Sequence, residues 1–127
     1  MWVTRPETEE DFEAIRAVNL AAFTTAVGAD LVEALRADPA WMPGLSVVAE
    51  TGEGVVAGYA LLTRCLVDEP PAPALGPCAV LPDLQGTGAG TAAIRAALAT
   101  ARERGENLVL VLVLGHAQQR QVRASTC

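Results

Sequence analysis

Lysine is missing from all 127 residues, and the nine basic side chains are all arginine. That absence excludes the phosphate loop of nucleoside triphosphatases, which needs the lysine of G-x-x-x-x-G-K-[ST] to reach the phosphates. Positive charge is scarce too, with a formal net charge of −6. A chain this acidic is not expected to bind nucleic acid. The three cysteines, Cys65, Cys78 and Cys127, show no metal-ligand spacing. Their odd number speaks against a disulfide framework, and each reads as a small hydrophobe. No metal is expected. No stretch approaches the ~18 to 20 apolar residues that span a membrane. The opening Met1-Trp2-Val3-Thr4-Arg5-Pro6 lacks the apolar core of a signal peptide. A cytoplasmic protein without membrane contact is therefore the expectation.

Half of the residues are hydrophobic (51%), enough for a single domain with a real core. Charge is unevenly spread. Residues 1–70 hold twelve acids against four arginines, a net of −8, while residues 71–127 carry a net of +2. The second part is the one that tolerates a polyanion.

Val3 to Arg5 reads as a first strand. Thr8-x-x-Asp11 has the form of a capping box, and Phe12, Ile15, Asn19 and Phe23 follow at helical spacing. Asp30-x-x-Glu33 offers a second cap, and Asp38-Pro39 closes that helix, because a residue before proline avoids helical backbone. Leu45–Glu50 and Val55–Arg64 flank the turn Thr51-Gly52-Glu53-Gly54 as a hairpin. A proline-rich loop spans Asp68–Pro73, and a strand follows over Leu75–Leu81. Gly76-Pro77 predicts a bulge or an edge within it, since proline cannot donate to a ladder. A helix is expected from about Gly88 to Arg104, with Ile94, Ala97, Leu98 and Ala101 as its apolar stripe. The unbroken run Leu108–Leu114 reads as a strand covered on both faces. The expected fold is α/β in content (α+β), a mixed and mostly antiparallel sheet flanked by helices, in the order β-α-α-β-β-β-α-β. Residues 1–116 form the domain and 117–127 an irregular tail.

The most informative segment is Gln85-Gly86-Thr87-Gly88-Ala89-Gly90-Thr91. It joins the run Cys78-Ala79-Val80-Leu81 to the last helix. A helix N-terminus presents unpaired N–H groups and the positive end of its dipole, and glycine lets backbone approach a phosphate. A plain strand-to-helix connection also accommodates such a turn. Gly88-Ala89-Gly90-Thr91-Ala92-Ala93 further satisfies the dinucleotide pattern G-x-G-x-x-A. That reading needs an acid at the end of the next strand, where Leu114-Gly115-His116 stands instead.

Order and turn together resemble the GNAT superfamily of acetyl-CoA-dependent N-acetyltransferases. The family's cofactor motif Q/R-x-x-G-x-G/A stands here as Gln85-Gly86-Thr87-Gly88-Ala89-Gly90, and Gly76 to Pro82 resembles its fourth strand and exit. The resemblance covers roughly residues 2–116. It implies that Cys78, Ala79 and Val80 pair with the pantetheine arm of acetyl-CoA, and that the amides of Gly86, Thr87, Gly88, Ala89, Gly90 and Thr91, after Gln85, hold its pyrophosphate. An amide near Val80 would polarise the thioester carbonyl. The acceptor would be an amine, on a small molecule or a protein, attacking directly in a ternary complex.

Candidates for a general base are His116, Asp68 and Glu69, and each also fits a solvated loop residue. Glu50 has the same ambiguity, and Trp2 and Trp41 read as packing residues. Family members usually continue with a further helix and two strands, often carrying a tyrosine that protonates the leaving thiolate. The sole tyrosine here is Tyr59, in the hairpin. The expectation is an acetyltransferase chain lacking that last part, its activity impaired by the loss and its edge at 108–114 open to self-association; the alternative is a catalytically weak or inactive CoA-binding or interaction module.

Overall fold

Strands and helices follow in the expected order in the computed structural model, which describes residues 2–23, 25–65, 72–106 and 110–111. They are β1 (Val3–Pro6), α1 (Phe12–Ala22), α2 (Val27–Arg36), β2 (Trp41–Glu50), β3 (Val56–Cys65), β4 (Ala72–Val80), α3 (Ala89–Glu103) and β5 (Leu110–Val111). Single 3-10 turns at Glu9–Asp11 and Pro82–Leu84 lead into α1 and towards α3. The sheet runs β1-β2-β3-β4-β5, antiparallel through β4, with β5 parallel to β4. It is the mixed, mostly antiparallel sheet that the sequence predicts. Asp68, Glu69, His116 and the tail 117–127 lie outside the described residues, as does all of the run 108–114 except Leu110–Val111.

The two sheet faces are covered by different helices. Val47, Ala49, Ala60 and Leu62 pack under Ala93, Ala97 and Ala101 of α3. Their neighbours in the alternation, Val48, Tyr59 and Leu61, pack with Ile15 and Val18 of α1 and Val32 of α2. Successive side chains point to opposite faces, so a sheet covered on both sides needs continuous apolar runs. That is why β2 and β3 lack polar alternation. The alanine stripe of α3 brings the helix close. A Cβ on Gly58 would lie 2.9 Å from the Ala89 carbonyl oxygen, and one on Gly90 would lie 2.8 Å from Val80 Cγ2.

The capping box forms: the Thr8 amide donates to Asp11 Oδ2 at 2.7 Å. Arg5 grips the same carboxylate (2.7 and 2.9 Å) and pairs with Glu50 at 3.2 Å. Glu50 is thereby a structural partner of Arg5. Three element starts differ from the sequence reading by three residues or more. Helix α2 begins at Val27, a turn before the Asp30 cap, because buried Gly28 lets it close on Phe23 and Asn19 of the preceding segment. Asp30 sits in its first turn and pairs with Arg16 of α1 instead. Strand β2 begins at Trp41 rather than Leu45, with a register break around Pro43-Gly44 that keeps Trp41 opposite Thr63. Strand β4 begins at Ala72, opposite Cys65, rather than at Leu75.

The expected bulge is present in β4. Cys78 pairs with Ala60 and Leu75 with Leu62, so Gly76 and Pro77 together face Leu61. The two β4–β5 pairs, Ala74 with Leu110 and Leu75 with Val111, lie before the bulge.

Candidate functional site

Beyond the bulge, one side of the β4 backbone is bonded to β3 and the other has no strand partner among the described residues. The Leu81 amide donates to the Ala57 carbonyl at 2.9 Å, which makes Leu81, and two residues back Ala79, face β3. Antiparallel alternation turns the amides and carbonyls of Cys78 and Val80 the other way. Among the described residues β5 pairs only with Ala74 and Leu75.

A cleft of about 610 Å³ opens along this edge. Cys78, Ala79 and Val80 form one wall, Gln85, Gly86, Gly88, Ala89, Gly90 and Thr91 another, and Ala22 and Phe23 at the end of α1 a third. Nine of the ten residues assigned to the cofactor in the sequence therefore line one cavity. The tenth, Thr87, does not. Its hydroxyl donates to the Leu84 carbonyl at 2.5 Å, and its own carbonyl accepts from the Trp2 indole N–H at 3.1 Å. Ile94, Ala22 and Phe23 were not legible as cleft residues, because in sequence they are ordinary members of apolar helix faces, and Leu84 stands in the short turn after β4 with no pattern to single it out.

Among the described residues no charged side chain lines the cleft. Its capacity for an anion rests on backbone. The first intrahelical bond of α3 runs from the Ala92 amide to the Gly88 carbonyl (2.9 Å). The amides of Ala89, Gly90 and Thr91 precede it and have no carbonyl one turn back. Gly88 at the cap offers no side-chain acceptor, and the first turn of α3 holds no acid, whereas those of α1 and α2 hold Glu13 and Asp30. The positive end of the α3 dipole is left uncompensated. Gly86 (φ 82°) and Gly88 (φ 96°) make the turn in a region closed to most side chains.

Cys78 is the nucleophilic thiol in the wall. Burial pushes it up to about 11, against a smaller downward pull from a Leu61 backbone hydrogen bond. It is a thiol at neutral pH. Tyr59 lies fully buried on the other side of the sheet with its hydroxyl 2.7 Å from Ser46 Oγ. Desolvation raises its pKa, with the Ser46 bond opposing. Ser46 in turn bonds the carboxylate of Glu7, which pairs with Arg36 at 2.9 Å. Among the described residues no group of three or more His, Cys, Asp or Glu side chains is gathered for a metal, and no helix is long and apolar enough to cross a membrane.

The acetyltransferase (GNAT) family model matches residues 12–124. The chain belongs to the GNAT family of acetyltransferases. A curated relative, the uncharacterized N-acetyltransferase YjhQ of Escherichia coli (strain K12), is 38% identical over 113 residues, which is 86% of this chain and 61% of the relative. The chain thus spans less than two thirds of that relative's length. Among solved structures, a GNAT acetyltransferase from Brucella melitensis in complex with acetyl-CoA superposes with a TM-score of 0.80 at 33% identity, covering 94% of this chain and 80% of that one. The E. coli acetyltransferase YhbS in complex with CoA gives 0.78 at 26% identity, covering 87% of this chain and 62% of that one.

Proposed function

We propose that the chain binds acetyl-CoA along the open edge of β4 and transfers its acetyl group to a primary amine. The observation that carries this reading is the cleft: a strand edge with no partner among the described residues continues into a helix start with no acid in its first turn, in a GNAT chain. Cys78 and Val80 supply outward amides and carbonyls for the amide-bearing pantetheine arm, as an added strand would use them. The amides of the Gly86–Thr91 segment receive the pyrophosphate.

The amine nitrogen bonds to the thioester carbonyl carbon, the C–S bond breaks, and CoA leaves as a thiolate that takes up a proton. The Val80 amide, on the open edge, is placed to donate to the carbonyl oxygen as charge develops there. Holding the two reactants together supplies much of the acceleration in such a transfer. A route through an acetylated Cys78 is disfavoured, because a thiol with a pKa of about 11 holds only about one part in 10⁴ as thiolate at neutral pH. Direct transfer in a ternary complex is the simpler route. His116, Asp68 and Glu69 remain the candidates for taking the amine's proton. The acceptor is an amine on a small molecule or a protein, and the acidic residues 1–70 favour a cationic one.

Calorimetric titration with acetyl-CoA, CoA and NAD tests the cofactor. Binding of both CoA species and not of NAD is expected, and NAD binding alone ends the reading. Release of free CoA in the presence of a panel of amines tests the transfer.

A further inference from the structure

We infer that Trp2 is a positioning residue for the cofactor: its indole N–H fixes the peptide between Thr87 and Gly88 so that the Gly88 amide faces the pyrophosphate site. This rests on the acetyl-CoA reading above.

The indole Nε1 donates to the Thr87 carbonyl at 3.1 Å, across 85 residues of sequence. The Thr87–Gly88 peptide is trans. In a planar trans peptide the C=O and the following N–H point in opposite directions. A Thr87 carbonyl held towards Trp2 therefore sends the Gly88 N–H the other way. Gly88 lines the cleft and Thr87 does not, so the other way is into the cleft.

The turn needs such a restraint. Glycine follows the peptide, and glycine accepts both orientations of the preceding plane at little cost. Turn types I and II differ chiefly by that flip. A flipped peptide would aim the Thr87 carbonyl at the anion in place of an amide. The bonds from the Thr87 amide (3.3 Å) and hydroxyl (2.5 Å) to the Leu84 carbonyl hold the residue but leave its carbonyl free to swing. Trp2 supplies the remaining contact. Its own ring is anchored against the α3 side of the core, and β1 fixes the next residue, Val3, opposite Glu50.

The test is Trp2→Phe, which keeps the ring and removes the donor. The KM and the dissociation constant for acetyl-CoA should rise about 5- to 10-fold, the share of one hydrogen bond, with kcat within twofold. The KM for S-acetylpantetheine, which has no pyrophosphate, should not move. Equal weakening towards both donors, or no weakening towards acetyl-CoA, overturns the inference. If the wild type itself binds no CoA, the cofactor reading falls and the clamp with it. Normal wild-type binding that the substitution leaves unchanged removes the clamp alone. A measurement on the intact chain stands beside the variant. The ¹⁵N-indole resonance of Trp2, assigned by difference from Trp41→Phe, should shift on adding CoA, because its hydrogen-bond acceptor sits in the turn that receives the pyrophosphate. A resonance indifferent to CoA overturns the inference.

Discussion

Gly58 of β3 and Ala89 of α3 meet backbone to backbone: a Cβ at position 58 would lie 2.9 Å from the Ala89 carbonyl oxygen and 3.0 Å from its carbon. No flexible side chain is there to give way. The glycine sets how closely the start of α3 rests on the sheet, and so where the amides of Ala89, Gly90 and Thr91 point. Gly58→Ala must push the helix start outward. Overpacking of this kind costs about 1 to 3 kcal/mol. We expect a lower urea midpoint together with weaker CoA binding by calorimetry. Unchanged CoA affinity in a destabilised variant would show that the helix start is not what holds the cofactor.

Asp11 gives the fold an acid-sensitive joint. The Arg5 hydrogen bonds, helped by the Thr8 amide and opposed by burial, lower its pKa from 3.8 to about 2. A carboxylate with a depressed pKa contributes stability that is fully present above its unfolded value and is lost as pH falls through its folded value. The loss should therefore fall between about pH 4 and pH 2. It should amount to about 1 to 2 kcal/mol, because the Arg5 end is partly open to solvent and screened. Thermal melts across this range check it. Asp11→Asn should be less stable at pH 7 and lack this increment of pH dependence.

The element order was legible because its signals are local. Thr8 and Asp11 cap within one turn, Gly52 and Gly54 mark the hairpin, and the alanine stripe of α3 repeats at helical spacing. The glycine-lined wall of the cleft was legible because glycines crowd where strand meets helix. What escaped depends on contacts across the chain. Nothing near Asp30 reveals that Gly28 lets α2 start early against Phe23. Nothing near Thr87 names Trp2 as its partner. Phe23 and Ala22 join the cleft only because α1 ends beside β4, which no periodicity within α1 encodes.

Cys78 tests the direct route of transfer. It lies in the wall of the cleft, yet its burial keeps the thiol protonated, with a pKa of about 11. Cys78→Ala should keep kcat within about threefold of wild type, the modest change expected from a lost packing contact rather than from a lost nucleophile. Mass spectrometry of the wild type mixed with acetyl-CoA and no amine should show no added acetyl group at Cys78. An acetylated Cys78 that an amine then discharges would replace the ternary complex with a two-step mechanism.

Tyr59 is the sole tyrosine, and its position separates a structural hydroxyl from a catalytic one. It is fully buried, and its hydroxyl meets Ser46, which also bonds Glu7. Removing one partner of a buried hydrogen bond costs more when it strands the other. In Tyr59→Phe, Ser46 keeps Glu7, so the loss should be about 1 kcal/mol. In Ser46→Ala, the Tyr59 hydroxyl is left buried without its partner and Glu7 loses a donor, so the loss should be larger, about 2 to 3 kcal/mol. Urea unfolding orders the two. The same pair decides the chemistry. A tyrosine that supplied the proton to the departing CoA would lose about 10²-fold or more in kcat on becoming phenylalanine. With its hydroxyl committed to Ser46 on the sheet face under α1 and α2, Tyr59→Phe should instead keep kcat within about twofold, and a loss of the larger size would move this residue into the reaction.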